Sequence, residues 1–390
     1  MKKVSDTQGM LIGMDGKRAV LNNTGLGNYS RYAVNILSLA YPGARFRLYS
    51  PEFRENDRLK PLLDRENVGL FVPSLHPDMG LTRSFWRTVD LPVQLKKDEV
   101  AVYHGLSNEL PLTIKDVCPA VVTIHDLIWR RSPDDYSAID RRLYDFKYGR
   151  SARIASRVIA ISECTKRDLM SDYGIPEDKI DVIYQGIDPV FSLAVDTAKR
   201  MEVRAKYKLP ERYIISVGTV QPRKNQLLTV RALAELPERV KLVIVGSMKG
   251  TYADSVRREI ERLGLSDRVM HLQNVPLADL PALYACAEVS LYTSRYEGFG
   301  LPVVESLTVG TPVVACTGSC LEEAGGEGAV YVHPDDVGAC ADAVRHLLDS
   351  VVFHDKKAGL GKRHVKRFSA ENFARETMAC YKKAIISHLS

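Results

Sequence analysis

The chain predicts an α/β protein built on two doubly wound parallel sheets. Three observations carry this. Short β-branched runs alternate with longer helical stretches along the whole sequence, which is the pattern of repeated strand–helix units. The runs are apolar on both faces, as they must be where helices cover both sides of a parallel sheet. A chain of 390 residues is long for one core and suits two.

In order along the first half, strands are expected at Leu11–Met14, Phe46–Tyr49, Val100–Tyr103, Ala120–Ile124 and Val158–Ile161. In the second half they are expected at Tyr213–Val217, Lys241–Val245, Val269–Leu272, Val289–Tyr292, Pro312–Ala315 and Ala329–Val332. Helical periodicity is clear over Tyr29–Ala40, Gln226–Leu236, Tyr252–Leu263 and Val337–Ser350. A boundary is expected within Asp188–Ala198, giving an N-terminal domain over 1–192 and a C-terminal domain over 193–367. The amphipathic segment 368–390 reads as a helix folding back, with the N-terminal domain as its expected partner.

Composition narrows the class. With 45% hydrophobic and 26% charged residues the chain reads as an ordinary soluble globular protein. No apolar run approaches the roughly 18 residues of a membrane-spanning helix. The start, Met1-Lys2-Lys3-Val4-Ser5-Asp6, lacks the apolar stretch of a signal peptide. The seven cysteines are scattered, without a Cys-x-x-Cys pair, which predicts reduced thiols and a cytoplasmic location. Cys316 and Cys320 are too few for a metal site, and no metal is expected. The net charge of +6 does not announce a nucleic-acid partner. The charge is concentrated, however: Arg141, Arg142, Lys147, Arg150, Arg153, Arg157, Lys166 and Arg167 face only Asp145 and Glu163, with Tyr144, Phe146 and Tyr148 interleaved. This stretch reads either as a solvated helical face or as a surface for an anionic membrane or a lipid-diphosphate, at the inner face of the membrane.

The most informative segment is Glu297-Gly-Phe-Gly-Leu-Pro-Val-Val-Glu305. Gly298 and Gly300 allow a tight turn, and Pro302 suits the first turn of a helix. The N–H groups of Phe299, Gly300 and Leu301 would then face an anion, most simply a phosphate. Glu297 stands in the loop before that anion and Glu305 about a turn inside the helix, so the two carboxylates can reach opposite sides of a phosphorylated ligand. This spacing suggests a nucleotide-sugar site.

Ligands of open parallel sheets bind at the carboxyl ends of strands, and four further segments lie there. Thr24-Gly25-Leu26-Gly27-Asn28-Tyr29 is a glycine-rich loop entering a helix, able to approach a phosphate or sugar, or simply to turn the chain. His125 ends a buried apolar strand; neutral imidazole there can bond a sugar hydroxyl or serve the core. His104 is read as structural. In Ser216-Val217-Gly218-Thr219-Val220-Gln221-Pro222-Arg223-Lys224-Asn225, two cations follow a strand–glycine–proline turn and suit a diphosphate. Val245-Gly246-Ser247 marks a further strand end and is informative only about a sheet edge.

Together these residues resemble the retaining glycosyltransferases of family 4, whose GT-B architecture sets two Rossmann-like domains face to face across a cleft. Ser294-Arg295-Tyr296-Glu297 through Glu305 looks like the family's Glu-x7-Glu motif. The Thr24–Tyr29 loop, Thr123–Ile128, Pro222–Asn225, Gly310-Thr311-Pro312-Val313-Val314 and Phe368-Ser369-Ala370-Glu371 support it in the right order. The resemblance implies that Arg223 and Lys224, with Gly218 at the strand end, neutralise the donor's diphosphate. It implies that Glu297 bonds the donor sugar, Glu305 the ribose, and the backbone of Gly298, Phe299, Gly300 and Leu301 the phosphates. Gly25, Leu26, Gly27 and His125 would approach from the N-terminal domain. Many relatives carry a basic residue just after the glycine of the strand matching Ser216–Gly218, where this chain has Thr219, so the charge work rests on Arg223 and Lys224.

The resemblance implies metal-independent transfer of a hexose from a nucleotide-sugar to a glycan or lipid-linked glycan in cell-surface polysaccharide biosynthesis, without a cofactor. The Thr-Gly-x-Gly-x-Tyr and Thr-x-His-Asp-Leu segments lean toward mannose from GDP-mannose, with a UDP-sugar as the alternative. An isomerase or hydrolase of nucleotide-sugars, or a non-catalytic binding subunit, are the other readings. Intact Glu297, Glu305, Arg223 and Lys224 speak against the last. Acceptor choice is expected in the loops Phe71–Thr88 and Ile128–Arg142.

Overall fold

The computed structural model describes residues 7–73 and 86–389; most of the expected acceptor loop Phe71–Thr88 therefore lies outside the described residues. The chain divides into two compact units. One comprises Met1–Trp129, Tyr136–Gly186 and Ala370–Ser390, the other Arg130–Asp135 and Ile187–Ser369.

The first unit holds seven strands: β1 (Leu11–Asp15), β2 (Arg45–Tyr49), β3 (Val68–Phe71), β4 (Val102–Gly105), β5 (Ala120–Ile124), β6 (Arg157–Ala160) and β7 (Ile180–Val182). Their order is β3-β2-β1-β4-β5-β6-β7, all pairs parallel. The second unit holds β8 (Tyr213–Val217), β9 (Lys241–Val245), β10 (Val269–Leu272), β11 (Val289–Tyr292), β12 (Val313–Cys316) and β13 (Ala329–Val332). Its order, β10-β9-β8-β11-β12-β13, is also wholly parallel. Both are doubly wound Rossmann orders, in which the chain reverses direction beside the first strand, at β1/β4 and at β8/β11. The central strands β1, β4, β5, β11 and β12 are buried along their length, which is why they read as continuous apolar runs.

Strands β3 and β7 escape the sequence pattern because they are short sheet edges. Gly69 interrupts the first, and Asp181 in the second points to Arg157 at 2.7 Å. Strand β4 begins two residues later than expected. Val100 still belongs to the turn closing helix Asp90–Lys97, where Glu99 adopts φ 53° and Val100 N–H bonds Leu95 O at 3.2 Å. His104 is consequently inside the strand. Gly246 follows β9, an interior strand, so it marks a strand end rather than a lateral edge of the sheet.

Helices start where the side chains can cap them. Ser137, Ser162, Asp196, Asp336 and Ser350 each accept an N–H of the first turn. The last helix, Ala370–Leu389, belongs to the first unit, where Tyr381 is fully buried. Its hydroxyl lies 2.7 Å from His104 Nδ1; His104 Nε2 lies 2.8 Å from Thr123 Oγ1, which is 3.1 Å from Tyr29 OH. This satisfied chain makes His104 a structural residue. Burial holds its pKa down at about 3, so it is neutral.

The basic stretch Arg141–Arg167 is spread over helix Ala138–Ile154, strand β6 and helix Glu163–Tyr173. Arg157 is paired with Asp181, and Lys166 with Glu177 at 2.9 Å. Tyr148 packs edge-on to Trp129 in the core, whereas Phe146 is 64% exposed. It is therefore not one continuous cationic face. Among the described residues no helix is long and apolar enough to cross a membrane.

Candidate active site

The second unit brings its predicted residues together at the β8/β11 reversal. Arg223 and Lys224 lie in the turn after β8, and Glu297 in the loop after β11. Backbone bonds lock the two loops together: Arg295 N–H donates to Arg223 O at 2.7 Å, and Thr293 Oγ1 donates to Lys224 O at 3.1 Å and Asn225 O at 3.0 Å. Asn225 takes φ 55°, and its amide donates to Pro334 O at 2.7 Å, so the turn carrying the cations is held at both ends.

Glu297 Oε1 is the centre of the cluster. Arg223 reaches it at 2.6 Å and Lys224 at 2.8 Å; Ser294 Oγ and Tyr292 OH donate to it at 2.9 and 3.0 Å. Lys224 also donates to Tyr292 OH at 2.7 Å. Glu297 is 8% exposed. Burial alone would raise its pKa, but the charges of Lys224 and Arg223 and their hydrogen bonds outweigh that and hold it at about 2. The site is thus two partly exposed cations around one buried, fixed anion, with a net positive charge.

Two glycines are required here. Gly218 is required by its φ of 143°; the Lys224 chain lies across it, where a Cβ would make an ordinary contact with Lys224 Cδ at 3.4 Å. Gly300 has φ 97°, and a Cβ there would lie 2.6 Å from Leu321 Cδ2. Gly300 thereby sets the start of helix Leu301–Val309, with Pro302 in its first turn. Phe299 turns its ring into the core against Phe368, 5.1 Å between centroids, so only its backbone can serve a ligand.

Glu305 sits on that helix, half-buried, and accepts from Tyr284 OH at 3.2 Å. Burial raises its pKa to about 7, opposed by the Tyr284 bond and reinforced by Asp188. The two carboxylates of one motif therefore differ: the Glu297 pKa is held down at about 2 and that of Glu305 is pushed up to about 7. Among the described residues no three His, Cys, Asp or Glu side chains converge as metal ligands would.

In the first unit, His125 is 5% exposed and is fixed by its own surroundings. Its Nε2 lies 2.9 Å from Leu106 O, and a carbonyl can only accept, so Nε2 carries the proton and Nδ1 is left as an acceptor. Its ring meets Tyr29 edge-on at 4.5 Å. Burial lowers its pKa to about 4, so it is neutral. Gly25 opens helix Gly25–Ala40, and a Cβ there would meet nothing within 4 Å. Gly27 differs: a Cβ would fall 1.8 Å from Asn22 O, so this glycine is demanded by packing of the helix on the preceding turn. Leu26 between them is half-buried.

Sequence reasoning missed Tyr292, Ser294 and Tyr284, which orient the two glutamates. Tyr292 carried a usable signal as the last residue of β11, at the end of the strand where ligands bind. A second cluster also escaped: buried Asp15, ending β1, is paired with Arg87, which also holds Glu109 just beyond β4.

Two parallel Rossmann-like units, with paired cations at a chain-reversal point of the second, are the parts of the GT-B fold of glycosyltransferases. Profiles of known families agree: that of glycosyl transferases group 1 matches residues 199–363, and that of Glycosyltransferase Family 4 matches residues 31–191. The O-antigen chain mannosyltransferase B of Escherichia coli is 28% identical over 381 residues, 92% of this chain and 96% of that one. The D-inositol 3-phosphate glycosyltransferase of Mycobacterium bovis is 33% identical over 241 residues, 59% of this chain and 49% of that one. Among solved structures, a glycosyltransferase from Rickettsia africae superposes with TM-score 0.75 at 18% identity, covering 96% of this chain and 98% of that one. Anabaena HepE, solved with UDP, gives 0.72 at 20%, covering 95% and 99%. The chain belongs to glycosyltransferase family 4.

Proposed function

We propose that the protein transfers mannose from GDP-mannose, with retention of configuration, to a hydroxyl of a glycan or lipid-linked glycan during cell-surface polysaccharide synthesis. The observation that carries the nucleotide-sugar part is the Arg223–Glu297–Lys224 cluster at the β8/β11 reversal, beside the start of helix Leu301–Val309. The full-length likeness to an O-antigen chain mannosyltransferase supports the sugar and the pathway.

In this reading the donor diphosphate supplies negative charge to Arg223 and Lys224, and backbone N–H groups at Gly298–Leu301 take part of it. Glu297 then exchanges some of its cation contacts for the donor sugar's hydroxyls. Glu305, on the same helix, takes the ribose. The acceptor hydroxyl attacks C1 of the sugar from the face the diphosphate leaves, the C1–O bond to phosphate breaks, and the leaving phosphate oxygen receives the acceptor's proton. No glutamate acts as the covalent nucleophile of a glycosidase pair, and no metal is needed because the two cations carry the leaving charge. Within the first unit, His125 is neutral with its Nδ1 an acceptor, able to bond a sugar hydroxyl.

Purified protein is tested with GDP-mannose and with UDP-sugars, alongside thermal shifts by GDP and UDP. Transfer and stabilisation by the guanine ligands alone are expected. Response to UDP alone overturns the donor assignment, and response to neither overturns the nucleotide-sugar reading. Lys224→Ala and Arg223→Ala should each lower transfer by about 100-fold or more, the scale of losing a main transition-state contact.

A further inference from the structure

The second unit contains a cavity of about 560 Å³, lined by none of the donor-site residues above. Its apolar surface includes Phe191, Leu193 and Val309, and Arg200, Lys362 and Lys366 stand around it. No aspartate or glutamate is among its lining residues. Among the described residues, the three cations form no ion pair.

This lack of pairing is local. On the same helix as Arg200, Thr197–Tyr207, Lys199 pairs with Glu202 and Asp279, and Lys206 with Asp279. The acids nearest in sequence to the apolar wall are turned elsewhere: Asp188 accepts from Val190 N–H at 3.0 Å, and Asp196 caps the helix through Lys199 N–H at 2.7 Å. Lys362 is held over Gly310, where a Cβ would lie 2.5 Å from its Cε. Leu193 is 67% exposed, so an apolar surface stays open between the cations.

Three like charges around a concave apolar surface repel one another and raise the local potential for an anion. A volume between about 300 and 1,000 Å³ is that of a small-molecule site, and an arginine fork with two ammonium groups matches phosphate oxygens. We propose that this cavity binds a phosphate monoester whose organic part is apolar. The phosphate meets Arg200, Lys362 and Lys366 while the organic part lies on Leu193 and Val309. The site is separate from the donor site and does not rest on the donor assignment.

The ligand chemistry has two sources, a free phosphoester or the headgroup of a phosphatidic-acid-type lipid, and the test has an arm for each. Full-length protein is titrated calorimetrically with phenyl phosphate and with inorganic phosphate, and is floated with vesicles containing phosphatidic acid. Phenyl phosphate should bind at least 10-fold more tightly than inorganic phosphate. The double variant Arg200→Ala/Lys366→Ala should weaken it at least 10-fold, and Leu193→Asp should remove its advantage over inorganic phosphate. Lys224→Ala serves as the control for binding at the donor site and should leave phenyl phosphate affinity unchanged. Vesicle binding lost in the double variant, without soluble phosphoester binding, assigns the site to a lipid headgroup. Binding that survives the double variant but is lost in Lys224→Ala, or no binding to either probe, overturns the proposal. Circular dichroism of the double variant separates loss of site from loss of fold, and both altered side chains are exposed.

Discussion

Replacing Glu297 with glutamine removes one negative charge and almost no volume, and its consequences differ between the empty and the ligand-bound protein. The amide keeps partners for Tyr292 and Ser294 but leaves Arg223 and Lys224, 15% and 12% exposed, without their counter-charge. The fall of the Glu297 pKa from 4.5 to about 2 corresponds to about 3 kcal/mol favouring the ionised form. Deleting one partner of a buried ion pair costs about 3–5 kcal/mol, so the two routes agree. Because the folded pKa is depressed, this stabilisation is fully present above about pH 4.5 and is lost as pH falls toward 2. Urea denaturation of wild type and Glu297→Gln should therefore show a gap of about 3 kcal/mol at pH 7 that narrows below pH 4.5. Saturating GDP should close much of the pH 7 gap, since the diphosphate brings the missing charge to the same cations. Transfer should stay at least about 100-fold below wild type, because the sugar contact is not restored. Equal stability of the two proteins at pH 7, or a gap that is the same at pH 7 and pH 3.5, would refute the view of Glu297 as the neutralising anion of the resting site.

The remaining expectations concern the helix Leu301–Val309 and the glycine before it. With the Glu305 carboxyl raised to about 7, acid converts it to a neutral group that bonds ribose hydroxyls less well, so donor KM should rise as pH falls from 8 to 6. Glu305→Gln should flatten that dependence while kcat keeps its own pH profile; a wild-type KM that is level across this range contradicts the assignment. Gly300→Ala must place a Cβ at φ 97° and 2.6 Å from Leu321 Cδ2. It should cost about 1–3 kcal/mol, read by urea denaturation, and raise donor KM by moving the helix start. An unchanged midpoint and KM in this variant would show that the turn tolerates a side chain.

Much of this protein is legible from local pattern. Buried central strands such as Ala120–Ile124 and Lys241–Val245 announce themselves because both faces must be apolar. The Glu297–Glu305 segment is legible because glycine, proline and carboxylates at that spacing suit a helix start facing an anion. Edge strands β3 and β7 are not, since half-exposed residues such as Gly69 and Asp181 leave no continuous run. The basic stretch reads as one surface in sequence and is divided in space, because the pairing of Arg157 with Asp181 depends on β6 lying beside β7.

The sequence by itself determined the fold class and the central strands, and it named the residues proposed here for the donor, because period, turn chemistry and charge are local properties. Only the tertiary structure decided that Lys224 and Glu297, 73 residues apart, share one hydrogen bond. It alone decided that Glu297 is held ionised while Glu305 is poised near neutrality, and that Gly27 answers to packing while Gly25 is open. Charge state and steric need are set by what lies within a few ångströms, and strand order across β8 and β11 brings those neighbours from distant parts of the chain.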